Sequence, residues 1–211
     1  NDGSSDVIES YAGAINKLIC EQDQGIFDAM NKGVLNAGGE FVYFLNSGDT
    51  FYDKDVLSNF YKSCNSDKRI YYGGMEFHLD NVGIDRVNDA DTWVCHQSTF
   101  IPRYLLRQEL FDVNLKVFGD SYFWERIERF NVPWQRLDFT ITRMNLDGVG
   151  SNPSIPLIKL RDKLYIFKKN KRLRPFLLSS LNIGVSYLLF ILFGRDWVIL
   201  KWYNIIHKLK Q

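Results

Sequence analysis

The residues best placed to do chemistry are carboxylates that follow apolar runs. Asn46-Ser47-Gly48-Asp49 comes directly after Phe41–Leu45, and Asp49 there has two readings. A carboxylate beyond a buried strand can hold a hard divalent ion, Mg²⁺ or Mn²⁺, whose other ligands are substrate phosphate oxygens. Asn, Ser, Gly and Asp are equally the residues of a plain turn. Glu21-Gln22-Asp23-Gln24-Gly25 poses the same choice. Its acids either cap the helix that follows or belong to a loop whose amides approach a ligand at Gly25. Asn31 and Lys32 lie about two turns into that helix, where solvent exposure is the ordinary role. Asp120, after Gly119, is either a helix N-cap or a general base that takes a proton from a hydroxyl. His96-Gln97, between Cys95 and Ser98, is either structural or a ligand pair. His78, His96 and His207 are the only histidines, too few for a His-rich metal site. Cys20, Cys64 and Cys95 have no CxxC spacing, and their odd count argues against a disulfide framework.

The elements that must position these groups follow from period and punctuation. Asn1–Asp6 is a turn-and-cap sequence that predicts a helix through Ile8, Tyr11 and Ile15. Lys17–Cys20 predicts a short buried strand. The period of Ile26, Ala29, Met30, Gly33, Val34 and Ala37 predicts a helix closed by Gly38-Gly39. Glu40–Leu45 lacks alternation, which predicts a strand buried on both faces, as in a parallel sheet. Asp53 is expected to cap a helix over 56–61, and Arg69–Leu79 to return as strand. A helix over 118–130, a strand over 133–139 and a flexible loop over 147–153 complete the body. Such alternation indicates an α/β layer, in which ligands bind beyond the carboxyl ends of the strands. A sheet starting at the opening turn would leave an edge strand without its neighbour.

Composition bounds the rest. The chain has 211 residues, 45% hydrophobic and 24% charged, which excludes wholesale disorder and a disulfide scaffold. The net charge of +1 argues against a nucleic-acid partner, but it conceals a split. Residues 1–155 hold 14 Lys and Arg against 23 Asp and Glu, net −9, and residues 156–211 hold 12 against 2, net +10. An acidic body thus carries a basic tail that suits an anionic partner such as a membrane surface. Lys168–Arg174 is the densest basic cluster, and the 20 residues Pro175–Gly194 carry no charge. That length meets the criterion for a spanning helix. Ser179, Ser180, Asn182, Gly184 and Ser186 dilute its first half, however, and an interfacial or re-entrant helical hairpin is expected, with Trp197, Trp202 and Tyr203 at headgroup level. The competing expectation is a helix pair packed on the body. The polar first residues show no signal peptide, which points to a cytoplasmic protein peripheral to the inner face of the membrane.

Taken in order, Asp2-Gly3-Ser4-Ser5-Asp6, Glu21–Gly33, Phe44–Asp49, His96-Gln97-Ser98, Phe118-Gly119-Asp120 and Gly148–Ser151 resemble a family 2 glycosyltransferase of the GT-A fold. The resemblance covers about residues 1–155 and leaves 156–211 as a tail. It implies a Rossmann-like α/β domain with a mostly parallel sheet flanked by helices, lacking its first β-α unit, and a C-terminal helical extension. It implies metal-dependent, inverting transfer from a nucleotide-sugar to an acceptor hydroxyl, the acceptor a saccharide or polyprenyl-linked saccharide, as in relatives that build bacterial surface polysaccharides. By the same resemblance Asp2 contacts the nucleobase. Asp23, Asn31, Lys32, Ser47 and Gly48 line the nucleotide and donor sugar, and His96 and Gln97 lie near the phosphates or acceptor. Asp49 holds the metal and Asp120 is the base. The chain departs from the family in having Asn46 and Gly48 where many members are acidic. Two other functions compete: a catalytically silent remnant that binds membranes or partners, and a metal-dependent phosphoesterase using the same acidic loops.

Overall fold

The computed structural model describes residues 3–79, 84–88, 94–146, 148–198 and 201, with backbone alone for 79 and 84–88. Helix α1 (Ser4–Ser10) opens after Gly3, followed by a 3₁₀ turn at Ala12–Ala14 and helix α2 (Ile26–Asn36). Strands β1 (Phe41–Val42) and β2 (Thr50–Phe51) precede helix α3 (Val56–Ser63). Strands β3 (Ile70–Leu79), β4 (Ile84–Asn88) and β5 (Thr99–Pro102) follow, then helices α4 (Arg103–Gln108) and α5 (Gly119–Ile127) and the long strand β6 (Trp134–Asn145). Helices α6 (Pro156–Asn170) and α7 (Leu173–Phe193) form the tail.

Among the described residues the sheet runs β1-β5-β3-β6-β2, with β4 on the far end of β3. Side chains alternate across it, as strand geometry requires. Ile70 and Ile101 face a core with Phe27, Met30 and Val34 of α2, Leu105 and Leu106 of α4, and Tyr122, Phe123 and Ile127 of α5. Their neighbours Tyr71 and Phe100 face the opposite layer with Val56 of α3, Leu137 and Ile141, where Phe60 stacks on Phe100 with centroids 3.8 Å apart. The sheet is therefore covered on both faces.

Several expectations need correction. The sheet is mixed: β3 and β6 pair in parallel, whereas β1–β5, β2–β6, β3–β4 and β3–β5 are antiparallel. Parallel pairing needs a long crossover, and the chain carrying α4 and α5 supplies one only between β3 and β6. The apolar run of residues 41–45 is hydrogen-bonded as strand only at Phe41–Val42, because it lies at the sheet edge. Residues 17–20 form no strand; Leu18 and Ile19 are exposed, and no described strand lies alongside to share a ladder. Asp53 acts one step before the helix it was expected to cap, its Oδ1 accepting the Asp55 N–H at 2.8 Å.

The tail also differs from a re-entrant hairpin. Helix α7 runs unbroken for 21 residues, ending at Gly194 with φ 83°. At 1.5 Å per residue it is about 31 Å long, and it is the one described helix long and apolar enough to cross a membrane. Its apolar side chains, Leu177, Leu181, Leu188 and Leu192 among them, are exposed. The scattered serines do not stop it, since Ser can be carried in a helix whose amides find their partners within the segment. Helix α6 packs against α7 through the Phe167–Phe176 stack and against the body through buried Asp162 and the half-buried Tyr165 and Ile166.

The junction of α2 and α5 is close enough to test. A Cβ on Gly119 overlaps the Phe27 ring. Gly119→Ala is expected to cost about 1–3 kcal/mol by overpacking, read as a lower urea midpoint; an unchanged midpoint would mean that the two helices do not close this tightly.

Candidate active site

The turn after the apolar run is built by local chemistry. The Asp49 N–H donates to the Asn46 carbonyl at 3.0 Å, and Gly48 sits at φ 87°, a left-handed conformation that favours glycine. The turn docks on the last residue of β6, where Asp49 Oδ1 accepts the Asn145 N–H at 3.0 Å. Asn145 pairs with His78 at the carboxyl ends of the parallel strands, the place where open α/β sheets bind ligands. Burial raises the Asp49 pKa above its ordinary value, and the Asn145 amide and the Gln97 side chain offset this only in part. Asp49 Oδ2 is buried without a hydrogen-bond partner.

His96 lies in a 3₁₀ turn, His96–Ser98, ahead of β5. Buried Cys95 anchors the turn, its carbonyl accepting Ser98 Oγ at 3.2 Å and Thr99 Oγ1 at 2.6 Å. The imidazole then faces two ways. Nε2 meets Asn46 Nδ2 at 2.9 Å and Nδ1 meets Asp120 Oδ2 at 3.1 Å. Asn46 has only protons to offer through Nδ2, so the ring carries its own proton on Nδ1 and donates it to Asp120. Phe44 sets its edge against the ring, with centroids 6.3 Å apart.

Asp120 is not the N-cap of α5. Phe118 holds that position, and Asp120 sits in the first turn with Oδ1 accepting the Ser121 N–H at 2.7 Å. Burial opposes its ionisation, but the His96 hydrogen bond and the Ser121 amide outweigh it and hold the pKa below the usual value. Its side chain keeps 19% exposure, so an ionised carboxylate is reachable from solvent.

Asn46, Asp49, His96, Gln97 and Asp120 thus form one continuous group, and Ser47 and Gly48 are exposed beside it. Asp23, in the loop before α2, and Lys32, about two turns into it, form a second group. Lys32 Nζ pairs with Asp23 at 2.7 Å, Glu21 at 2.8 Å and Asp28 at 3.2 Å, and these carboxylates raise its pKa. Asn31 stands apart from both. Its carboxamide is committed to the Phe111 backbone, accepting the N–H at 2.9 Å and donating to the carbonyl at 2.8 Å, a joint between α2 and the segment after α4. Asp2 lies outside the described residues.

Sequence reasoning missed the bridging role of Asn46 and two charged residues near α5, Lys116 and Asp162. Asp162 had one signal: it is a rare acid in a tail with 12 cations and 2 carboxylates. The donor set also bears on a cation. No group of three or more metal-ligating side chains occurs among the described residues. One carboxylate with a free buried oxygen nevertheless fits Mg²⁺ or Mn²⁺, which usually take one or two carboxylates plus substrate phosphates.

Comparison with known proteins places this arrangement in a class. Residues 1–148 match the family described as Glycosyl transferase family 2, so the chain belongs to that family and its mixed α/β layer is a GT-A fold. A PGL/p-HBAD biosynthesis glycosyltransferase of Mycobacterium bovis is 28% identical over 118 residues, 47% of this chain and 46% of that protein. An uncharacterized glycosyltransferase of Mycobacterium tuberculosis is 38% identical over 68 residues, 32% of this chain and 26% of that protein. The chain spans less than half the length of the curated relatives it matches.

The raised pKa of Asp49 carries a sign. The folded protein holds this proton more tightly than the unfolded chain, so the stability this group contributes falls as pH rises through the window between the usual value and the raised one. Asp49→Asn is therefore expected to raise Tm at pH 8 by about 2 °C, and by less at pH 5. A lower Tm in thermal melts would refute the desolvation account.

Proposed function

We propose that this protein is a metal-dependent, inverting glycosyltransferase. It moves a sugar from a nucleotide-diphosphate sugar to an acceptor hydroxyl in polysaccharide or glycolipid biosynthesis. The observation that carries the reading is that Asp49 and Asp120 belong to one hydrogen-bonded group, linked through Asn46 and His96. Asp49 Oδ2 is the atom that would hold Mg²⁺ or Mn²⁺, and the bound cation supplies positive charge to the departing diphosphate. Asp120 accepts the proton of the acceptor hydroxyl as its oxygen bonds to the anomeric carbon and the bond to the diphosphate oxygen breaks. His96 keeps that carboxylate ionised and aimed. A lone base with no second carboxylate as nucleophile accords with inversion. Asp23 and Lys32 would meet the nucleotide side of the donor.

The tail supports work at a membrane. Lys168, Lys169, Lys171, Arg172 and Arg174 lie at the junction of α6 and α7, and each basic residue near an anionic leaflet contributes about 1 kcal/mol. The exposed apolar length of α7 suits contact with lipid and supports a reading in which the enzyme works at the inner face of the cell membrane on a polyprenyl-linked saccharide acceptor.

Nucleotide-sugar turnover with Mn²⁺ tests the reading. Asp120→Asn is expected to lower transfer by about 10²–10⁴-fold with nucleotide binding retained; lost binding instead would make Asp120 a structural residue. Hydrolysis that no acceptor redirects would favour a phosphoesterase, and no turnover in the parent chain would favour a silent binding protein. Deleting residues 168–211 is expected to release the protein from anionic vesicles at moderate salt, and continued co-sedimentation would refute the membrane role of the tail.

A further inference from the structure

Asp162 lies on α6, beyond the residues 1–148 that match the family. Its side chain is buried, with 0% of the residue exposed, and carboxylates are rarely buried without partners. Here the partners are backbone. Oδ2 accepts the N–H groups of Lys116 at 2.8 Å, Val117 at 2.7 Å and Phe118 at 3.2 Å. Three consecutive amides converging on one anion form a strong electrostatic clasp. Phe118 is the N-cap of α5, and that helix has no side-chain cap of its own. Asp162 therefore serves as a remote cap, satisfying free amides that lead into the helix and placing negative charge at its positive end.

The segment so held presents Asp120 two residues later. Other contacts clamp it from both sides. Lys116 Nζ donates to the Gln24 carbonyl ahead of α2, Gly119 lies against Phe27, and the Lys163 ammonium sits 3.8 Å over the Phe118 ring. Of these, only Asp162 binds the backbone at all three residues before Gly119.

We propose that Asp162 is a positioning residue for glycosyl transfer: from the tail it fixes the start of α5 and so aims Asp120 at the acceptor hydroxyl and His96. The proposal rests on the reading of Asp120 as the base. It makes α6 part of the catalytic unit, whereas the motifs of the family end before it.

The test uses the full chain with Asp162→Asn, which keeps an acceptor oxygen but loses the charge, and Asp162→Ala, which loses both. Steady-state kinetics are combined with hydrogen exchange of the Lys116, Val117 and Phe118 amides. A misplaced reacting group costs up to about 10²-fold. The expected result is a fall in kcat of about tenfold for Asn and about a hundredfold for Ala, with KM for the nucleotide-sugar unchanged and faster exchange at the three amides. Wild-type kcat in Asp162→Asn, or a loss expressed only in KM, would overturn the proposal. Should Asp162→Ala fail to fold, Asp162→Asn assayed well below its melting temperature decides alone. Asp120→Asn run in parallel separates the two ideas: transfer surviving in that variant removes the base itself, whereas a dead Asp120→Asn beside a fully active Asp162→Asn removes only the positioning role.

Discussion

The site is held together at one imidazole, which takes a hydrogen bond from the turn after β1 and gives one to the first turn of α5. These two segments are far apart in the chain, and they carry the carboxylates Asp49 and Asp120. His96 acts as a rigid spacer between them because its two nitrogens project in fixed directions, and because its own turn is tied down by Cys95, Ser98 and Thr99. Partial burial strengthens both hydrogen bonds and makes either one costly to lose. Much of the surrounding packing, from Phe44 beside the ring to Phe27 beneath Gly119, keeps the three segments at this separation.

The two acids meet different surroundings, and their pKa values move apart accordingly. Asp49 is desolvated without full compensation, which raises its pKa. Asp120 is compensated by His96 and the Ser121 amide, which lowers its pKa. Divergent shifts in neighbouring groups are a common mark of divided chemical roles. The unpartnered Oδ2 of Asp49 is a local desolvation cost carried by this turn.

The tail enters this arrangement at two levels. Helix α6 inserts a buried carboxylate beneath the segment that leads into α5, and α7 leaves with its apolar surface exposed. Only Lys171 and Arg172 separate the two helices, so the element that meets the clasp is joined almost rigidly to the one suited to lipid. Arg172 also pairs with Glu125 of α5 at 3.2 Å, and Asn170 donates to the same carboxylate, which adds a second tie between tail and catalytic helix.

Much of this was legible in the chain as written. Period and punctuation located α2, α3, β3 and α5, and the positions of Asp49 and Asp120 after Leu45 and Gly119 marked them as the acids to watch. The uncharged run after Arg174 announced a lipid-sized helix, although its serines argued for a break that helical hydrogen bonding does not require. What local pattern could not supply was pairing at a distance. The Asn31 carboxamide joins Phe111, 80 residues away, and Asp162, which no local pattern singled out, holds three amides more than 40 residues back. The sequence by itself determined which segments are apolar, which turn, and which bear charge, since those depend on neighbours along the chain. The tertiary structure alone decided the mixed direction of the strands and which polar groups meet at His96, because burial forces every desolvated donor and acceptor to find whatever partner the packing brings within reach.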